Sequence, residues 1–142
     1  MSTALRGPDR LQPATLIYAR LRAMDALAFE ELLLESFAAF GFKIVRNARY
    51  SGDGGIDGQV LIAGEVWLIQ AKRYAGPIRP EHVHAFATLC AARGKRGFLV
   101  HTGRTGPLSR AHLDQAPHLT IISGRTLLDL LTGSGPPMSG AL

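Results

Sequence analysis

Residues 56–73 read Ile56-Asp57-Gly58-Gln59-Val60-Leu61-Ile62-Ala63-Gly64-Glu65-Val66-Trp67-Leu68-Ile69-Gln70-Ala71-Lys72-Arg73, and this stretch decides the fold. Two runs of strand-forming residues flank a short break at Ala63-Gly64, the pattern of a tight β-hairpin. Residues 56–62 and 65–73 are its strands. Val66-Trp67-Leu68-Ile69 is apolar on both faces, so the second strand belongs in the middle of a sheet. If the hairpin closes symmetrically about Ala63-Gly64, Ile62 faces Glu65, Asp57 faces Gln70, and Lys72 lies near Gly55. Side chains two apart share a face, which groups Gln70 and Lys72 with Val66 and Leu68. That face starts apolar and ends polar, so it runs from a core into a cleft. Asp57, Gln70 and Lys72 then form one cluster. A turn of odd length would shift the register by one and break it.

The rest of the chain reads outward from this hairpin. Residues 42–50 form a preceding strand, separated from it by the breakers Ser51-Gly52-Asp53-Gly54-Gly55. Upstream, a helix runs from Asp25, a good N-cap, to about Phe40, with Gly41 just beyond its end. Met24 and Phe29 hold the positions of a hydrophobic staple. Downstream come a helix over 80–93 stopping at Gly94, a strand over 97–102, and a helix over 107–115 opened by Pro107. A fifth strand over 118–122 and a closing helix over 125–131 follow. The order α-β-β-β-α-β-α-β-α describes an α/β fold, a central mixed five-stranded sheet flanked by helices. Residues 1–23 form an N-terminal arm in which a short helix over 14–22 is allowed, residues 24–132 one domain, and the Gly/Pro/Ser-rich residues 133–142 a flexible tail.

With 142 residues, 46% of them hydrophobic, the chain can bury one core. No apolar run approaches the ~20 residues of a membrane span. The first twenty residues lack the apolar region of a secretory signal. The single cysteine, Cys90, excludes an internal disulfide and any cysteine-built zinc cluster. A cytoplasmic location is expected. Lysine and arginine outnumber the acids 16 to 11, which mildly favours a polyanionic partner. Aromatic residues, at 7%, are too sparse for a platform on which single-stranded bases stack.

Phosphodiester cleavage needs an activated in-line water and a stabilised leaving oxygen. An aspartate such as Asp57 is a good ligand for a hard cation, and the Gln70 carbonyl oxygen can add a neutral one. Lys72 can orient or deprotonate the water, or neutralise charge on the phosphate. Taken singly, Asp57 reads more simply as a turn acid and Lys72 as a solvated strand-end lysine, and it is the shared face with its apolar lead-in that raises the catalytic reading beside that one. Glu30 adds a separate signal. On a helical wheel it falls near the middle of the sector holding Leu27, Phe29, Leu33, Leu34, Phe37, Ala38 and Phe40. A carboxylate aimed at a core needs a partner, because its desolvation costs several kcal/mol. Either Glu30 reaches the Asp57 cluster, directly or through a water, or it escapes to solvent at the helix end.

These residues, in this order, resemble the catalytic domain of Mrr-type restriction endonucleases, the QxK variant within the PD-(D/E)xK nucleases. The matching pieces are Phe29-Glu30, Gly41-Phe42, Ser51 through Asp57, Trp67 through Tyr74, the strand ending at Thr102, and the helix closing at Leu131. The resemblance covers about residues 24–132. It implies a Mg²⁺-dependent endonuclease of double-stranded DNA, with Mn²⁺ able to substitute. It also implies Asp57 as metal ligand, Lys72 as the catalytic lysine, and Gln70 where the wider superfamily has an acid. One negative charge is thereby lost, and Glu30 can restore it as a third ligand beside Asp57 and Gln70.

Arg73, Arg104, Thr102 and Arg79 are the candidate DNA contacts, Thr102 serving either a phosphate or the support of the site. His82 and His84 are two apart, a spacing that does not favour a shared metal on one helix face. His101, His112 and His118 show no partners in the sequence. Family restriction enzymes often carry a separate recognition domain. The 23 residues before the catalytic unit are too few for one, so a homodimer or a separate recognition subunit is expected. A nuclease specific for DNA junctions, or a non-cleaving DNA-binding subunit of a larger assembly, are the alternatives.

Overall fold

The computed structural model describes residues 14–46, 56–73 and 76–135. Among these, the elements run α1 (Ala14–Ala23), α2 (Ala26–Ala39), β1 (Lys43–Arg46), β2 (Gly58–Ile62), β3 (Glu65–Lys72), α3 (Pro80–Ala92), β4 (Arg96–His101), α4 (Pro107–Asp114), β5 (Leu119–Ile122) and α5 (Gly124–Thr132). The strands form one sheet in the order β1-β2-β3-β4-β5. The first two pairings are antiparallel and the last two parallel. Hairpins therefore precede helical crossovers, and the doubly covered β3 is central, as its apolar run requires. The expected extension of β1 to Tyr50, the glycine-rich segment 51–55, the arm before residue 14, Tyr74 and the tail from residue 136 lie outside the described residues.

The β2–β3 register follows symmetric closure: Ile62 faces Glu65, Val60 faces Trp67, and Gly58 faces Ile69. The turn holds Ala63 at φ 51° and Gly64 at φ 83°, the left-handed pair that a two-residue hairpin loop demands. Asp25 caps α2, its Oδ1 accepting the Ala28 amide at 2.8 Å. Gly41 takes φ 96° just past the helix, where a side chain would be strained.

Two cores cover the two sheet faces. On one, α1, α2 and α5 bury Ile17, Leu21, Phe29, Phe37 and Leu127 against Val60, Trp67, Ile69, Phe98 and Val100. On the other, α3 and the turn after α4 bury Val83, Phe86, Cys90 and Ala116 against Leu68, Leu99 and Leu119. The buried arc of α2 differs from the one the sequence suggested. It holds Phe29, Leu32, Leu33, Leu34, Ser36 and Phe37, while Leu27 is 46% exposed and Ala38 is exposed. The Ser36 hydroxyl can sit inside because it donates back to the Leu32 carbonyl at 2.7 Å. Glu30 therefore falls near one margin of the buried face, between Phe37 and Leu34, and is half-buried there. On the solvent side, Glu31 accepts from Arg46 Nε at 2.8 Å, which ties α2 to the edge strand and holds the Glu31 carboxyl below its usual range.

Candidate active site

The site lies where β2 begins. Alternation from Gly58, whose missing side chain faces Leu34 of α2, would send Ile56 to the α2 face and Asp57 to the α3 face. The reverse occurs. Asp57 donates its amide to the Ile69 carbonyl at 2.7 Å, although Gly58 is already the residue facing Ile69. Two residues of one strand thus oppose one of the other, a β-bulge that rotates the chain locally. Ile56 joins the core beneath α3. The Asp57 carboxylate turns toward α2, and its Oδ2 accepts the Ala71 amide at 2.7 Å. Ala71 is the residue that Ile56 would face in an unbroken ladder, so the aspartate side chain takes up a donor that the bulge would have left over. The expected placement of Asp57 on the same face as Gln70 and Lys72 is thereby corrected.

The same rotation brings Asp57 to Glu30, and the two carboxyl groups share a hydrogen bond. Burial pushes the Asp57 carboxyl above its usual range, while the Ala71 amide, the Glu30 contact and the Lys72 charge each draw it back. A pair of carboxyls in contact must hold a proton or a cation between them. Hard oxygens from Asp57 and Glu30 suit a divalent cation such as Mg²⁺, so the residues present fit that group. Gln70, 7% exposed, lies one residue before Ala71 and faces α3. Its buried Oε1 receives no hydrogen bond from the described residues, although Gln70 has another partner. The structure thus gathers Asp57, Glu30 and Lys72, with Gln70 beside them on the strand.

The neighbouring strand and loops frame Lys72. It is paired in register with His101 of β4, and its carbonyl accepts the Thr102 amide at 3.3 Å. Thr102 is 1% exposed, and its own carbonyl accepts from Arg22 of α1 at 2.9 Å, so it supports the site from within. Arg73 is exposed but donates to the Met24 carbonyl ahead of α2. Arg79 precedes α3 and Arg104 follows β4, both exposed.

His82 was not legible as part of this region. Burial lowers its pKa first, and the charges of Lys72 and Arg79 lower it further, so it lies within electrostatic reach of Lys72. The available signal was topological: a helix returning from a parallel crossover starts above the carboxyl end of the strand it leaves. The other histidines have structural partners. His118 Nε2 lies 2.8 Å from the Ala87 carbonyl, and His112 packs on His84 with ring centroids 5.3 Å apart.

A separate surface cleft of about 510 Å³ lies near the hairpin turn, lined by Glu65, Lys95, Arg96 and His118 among others. It contains none of Asp57, Glu30, Gln70 or Lys72.

Comparison with known proteins gives one family. A family model described as restriction endonuclease, of the Mrr catalytic type, matches residues 21–131. No curated protein matches the chain. The matched span includes α2 through β5 and most of α5, and with them every carboxylate, amide and lysine described above.

Proposed function

The chain belongs to the Mrr-type restriction endonuclease family, and we propose that it is a Mg²⁺-dependent endonuclease hydrolysing phosphodiester bonds in double-stranded DNA. The observation that carries this reading is the Asp57–Glu30 carboxyl contact with Lys72 as its cationic neighbour. Asp57 and Glu30 would hold the cation, with Gln70 beside them on β3. When bound, a divalent cation supplies Lewis-acid stabilisation of charge on the scissile phosphate, and Mn²⁺ can take its place.

Each side chain then has a distinct task. Asp57 is fixed in orientation by the Ala71 amide, so one carboxylate oxygen is committed to the backbone and the other is left for the site. Glu30 restores the negative charge that glutamine at position 70 does not provide. Lys72 reaches in from the α3 face. Its ammonium orients the attacking water and neutralises the charge that builds on the phosphate. The exposed Arg79 and Arg104 flank the carboxyl end of β3, where they would contact the DNA backbone, with Arg73 beside them. A homodimer, each copy cutting one strand, is the simplest route to a double-strand break by a unit with one such site. A cytoplasmic setting accords with the single reduced cysteine.

Cleavage of supercoiled plasmid tests the assignment, with Mg²⁺, with Mn²⁺ and with chelator, for the wild type and Lys72→Ala. Cleavage should require the metal and fall by at least a hundredfold in the variant, within the range known for loss of one charge-stabilising group. Equal activity of the two proteins would remove Lys72 from the chemistry.

A further inference from the structure

We propose that His101 is a positioning residue whose buried imidazole holds residues 103–105 in the shape that presents Arg104 to a DNA phosphate. The inference rests on the DNA-cleaving function proposed above and identifies which part of the β4–α4 loop grips the substrate.

His101 ends β4 and is 0% exposed. Its Nδ1 accepts the Gly103 amide at 3.1 Å, so that nitrogen carries no proton. The ring proton therefore sits on Nε2, which lies 3.3 Å from the Thr105 hydroxyl and donates to it. The two bonds close around Gly103 and Arg104. The far side of the same segment is clamped as well. The Arg104 amide donates to the Gly76 carbonyl at 3.1 Å, and the Arg104 carbonyl accepts the Ile78 amide at 2.8 Å. Arg104 thus has its backbone fixed from two sides, while the residue itself is exposed. The strand pairing places this loop beyond Lys72: His101 is the partner of Lys72, and Pro77 bridges to Arg104 in the same parallel sense. Burial pushes the His101 pKa down to about 4, so the neutral ring and its hydrogen-bond pattern persist at physiological pH. An imidazole committed to two loop contacts acts through the loop, and the loop's exposed cation is Arg104.

The test is binding of the full-length chain to a fluorescent DNA duplex, in chelator, across a series of salt concentrations. A lost phosphate contact lowers the steepness of log affinity against log salt by about one. His101→Leu and Arg104→Ala should each produce that loss, and the double variant should lose no more than the worse single one. His101→Asn, which keeps an acceptor for the Gly103 amide, should recover most of the slope. General destabilisation would lower the melting temperature of His101→Leu without changing the slope per folded molecule. If His101→Leu does not fold, Thr105→Val removes the Nε2 partner at a half-buried position and should show the same reduced slope. An unchanged slope in the folded variants, additive losses, or failure of asparagine to rescue would overturn the inference. A wild type without salt-dependent DNA binding would overturn the proposed function together with it. A wild type that binds, beside variants that bind alike, would overturn this inference alone.

Discussion

Asp57→Asn should make the cation-free protein more stable while abolishing cleavage. The Asp57 carboxyl is half-buried, in hydrogen-bond contact with Glu30, and pushed above its usual pKa by burial. At neutral pH the folded chain must either keep two carboxylates together or take up a proton to relieve them, and both cost free energy. Two unit charges ~4 Å apart repel by about 4 kcal/mol at an effective dielectric of ~20. Lys72 and the Ala71 amide return part of that. Asparagine has nearly the same shape, can accept the Ala71 amide and can donate to Glu30. A net gain of about 1–2 kcal/mol is expected, or roughly 3–8 °C in Tm for a domain of this size. The pH dependence has a definite sign. Unfolded, Asp57 releases its proton near 3.8, whereas the folded chain holds it to higher pH. Stability from that proton is present at low pH and lost as pH rises through the folded pKa, so the advantage of the variant grows with pH. His101 titrates the opposite way, its folded pKa of about 4 lying below the 6.5 of a free histidine. It is common to both proteins, so the difference between them isolates Asp57. Mg²⁺ should reverse the order, adding about 2.7 kcal/mol to the wild type at a hundredfold excess over Kd and little to the variant. Thermal melts of both proteins from pH 5 to 8, in chelator and in Mg²⁺, decide the matter. A variant less stable in chelator, or stabilised by Mg²⁺ as strongly as the wild type, would refute the reasoning.

Two further expectations concern the packing that supports the site. A Cβ at Gly97 would lie 2.6 Å from Cys90 Sγ and 2.8 Å from Phe86 Cε2, both buried side chains of α3. Gly97→Ala should cost about 1–3 kcal/mol in urea unfolding. Cys90→Ala should recover part of that in a double-mutant cycle, and a fully additive double variant would show that α3 does not press on β4 there. The Cys90 thiol is itself pushed up to about 11 by burial, so thiol reagents at pH 8 should label it only as fast as the chain unfolds. Rapid labelling in native buffer would mean that α3 opens locally.

The hairpin was legible because its determinants are local. A two-residue break at Ala63-Gly64 leaves one symmetric closure, and the register from Ile62–Glu65 to Gly58–Ile69 follows from counting. The central place of β3 follows from its doubly apolar run. Counting fails one residue later, since alternation presumes an unbroken ladder and the ladder breaks at Asp57. The Glu30 argument led to a residue that meets Asp57, although two of the positions used to define the buried face, Leu27 and Ala38, are exposed. An acid anywhere on the buried arc would have raised the same question. His82 and His101 were not legible because their surroundings are tertiary: one depends on where α3 lands after the crossover, the other on a loop folding back over the end of its own strand.

The bulge also shows why an acid at position 57 is asked for twice. A bulge rotates a side chain at the expense of a ladder hydrogen bond, and a buried amide left without an acceptor costs about 1–3 kcal/mol. Here the rotated side chain is itself the acceptor, through Oδ2 and the Ala71 amide at 2.7 Å. Asp57 thus repairs the sheet with one oxygen and faces Glu30 and Lys72 with the rest of the group. An alanine at this position would forfeit the repair and the proposed chemistry together, whereas asparagine keeps the repair alone. That separation makes asparagine the informative substitution, because it leaves the strand end intact and removes only the charge that a cation would require.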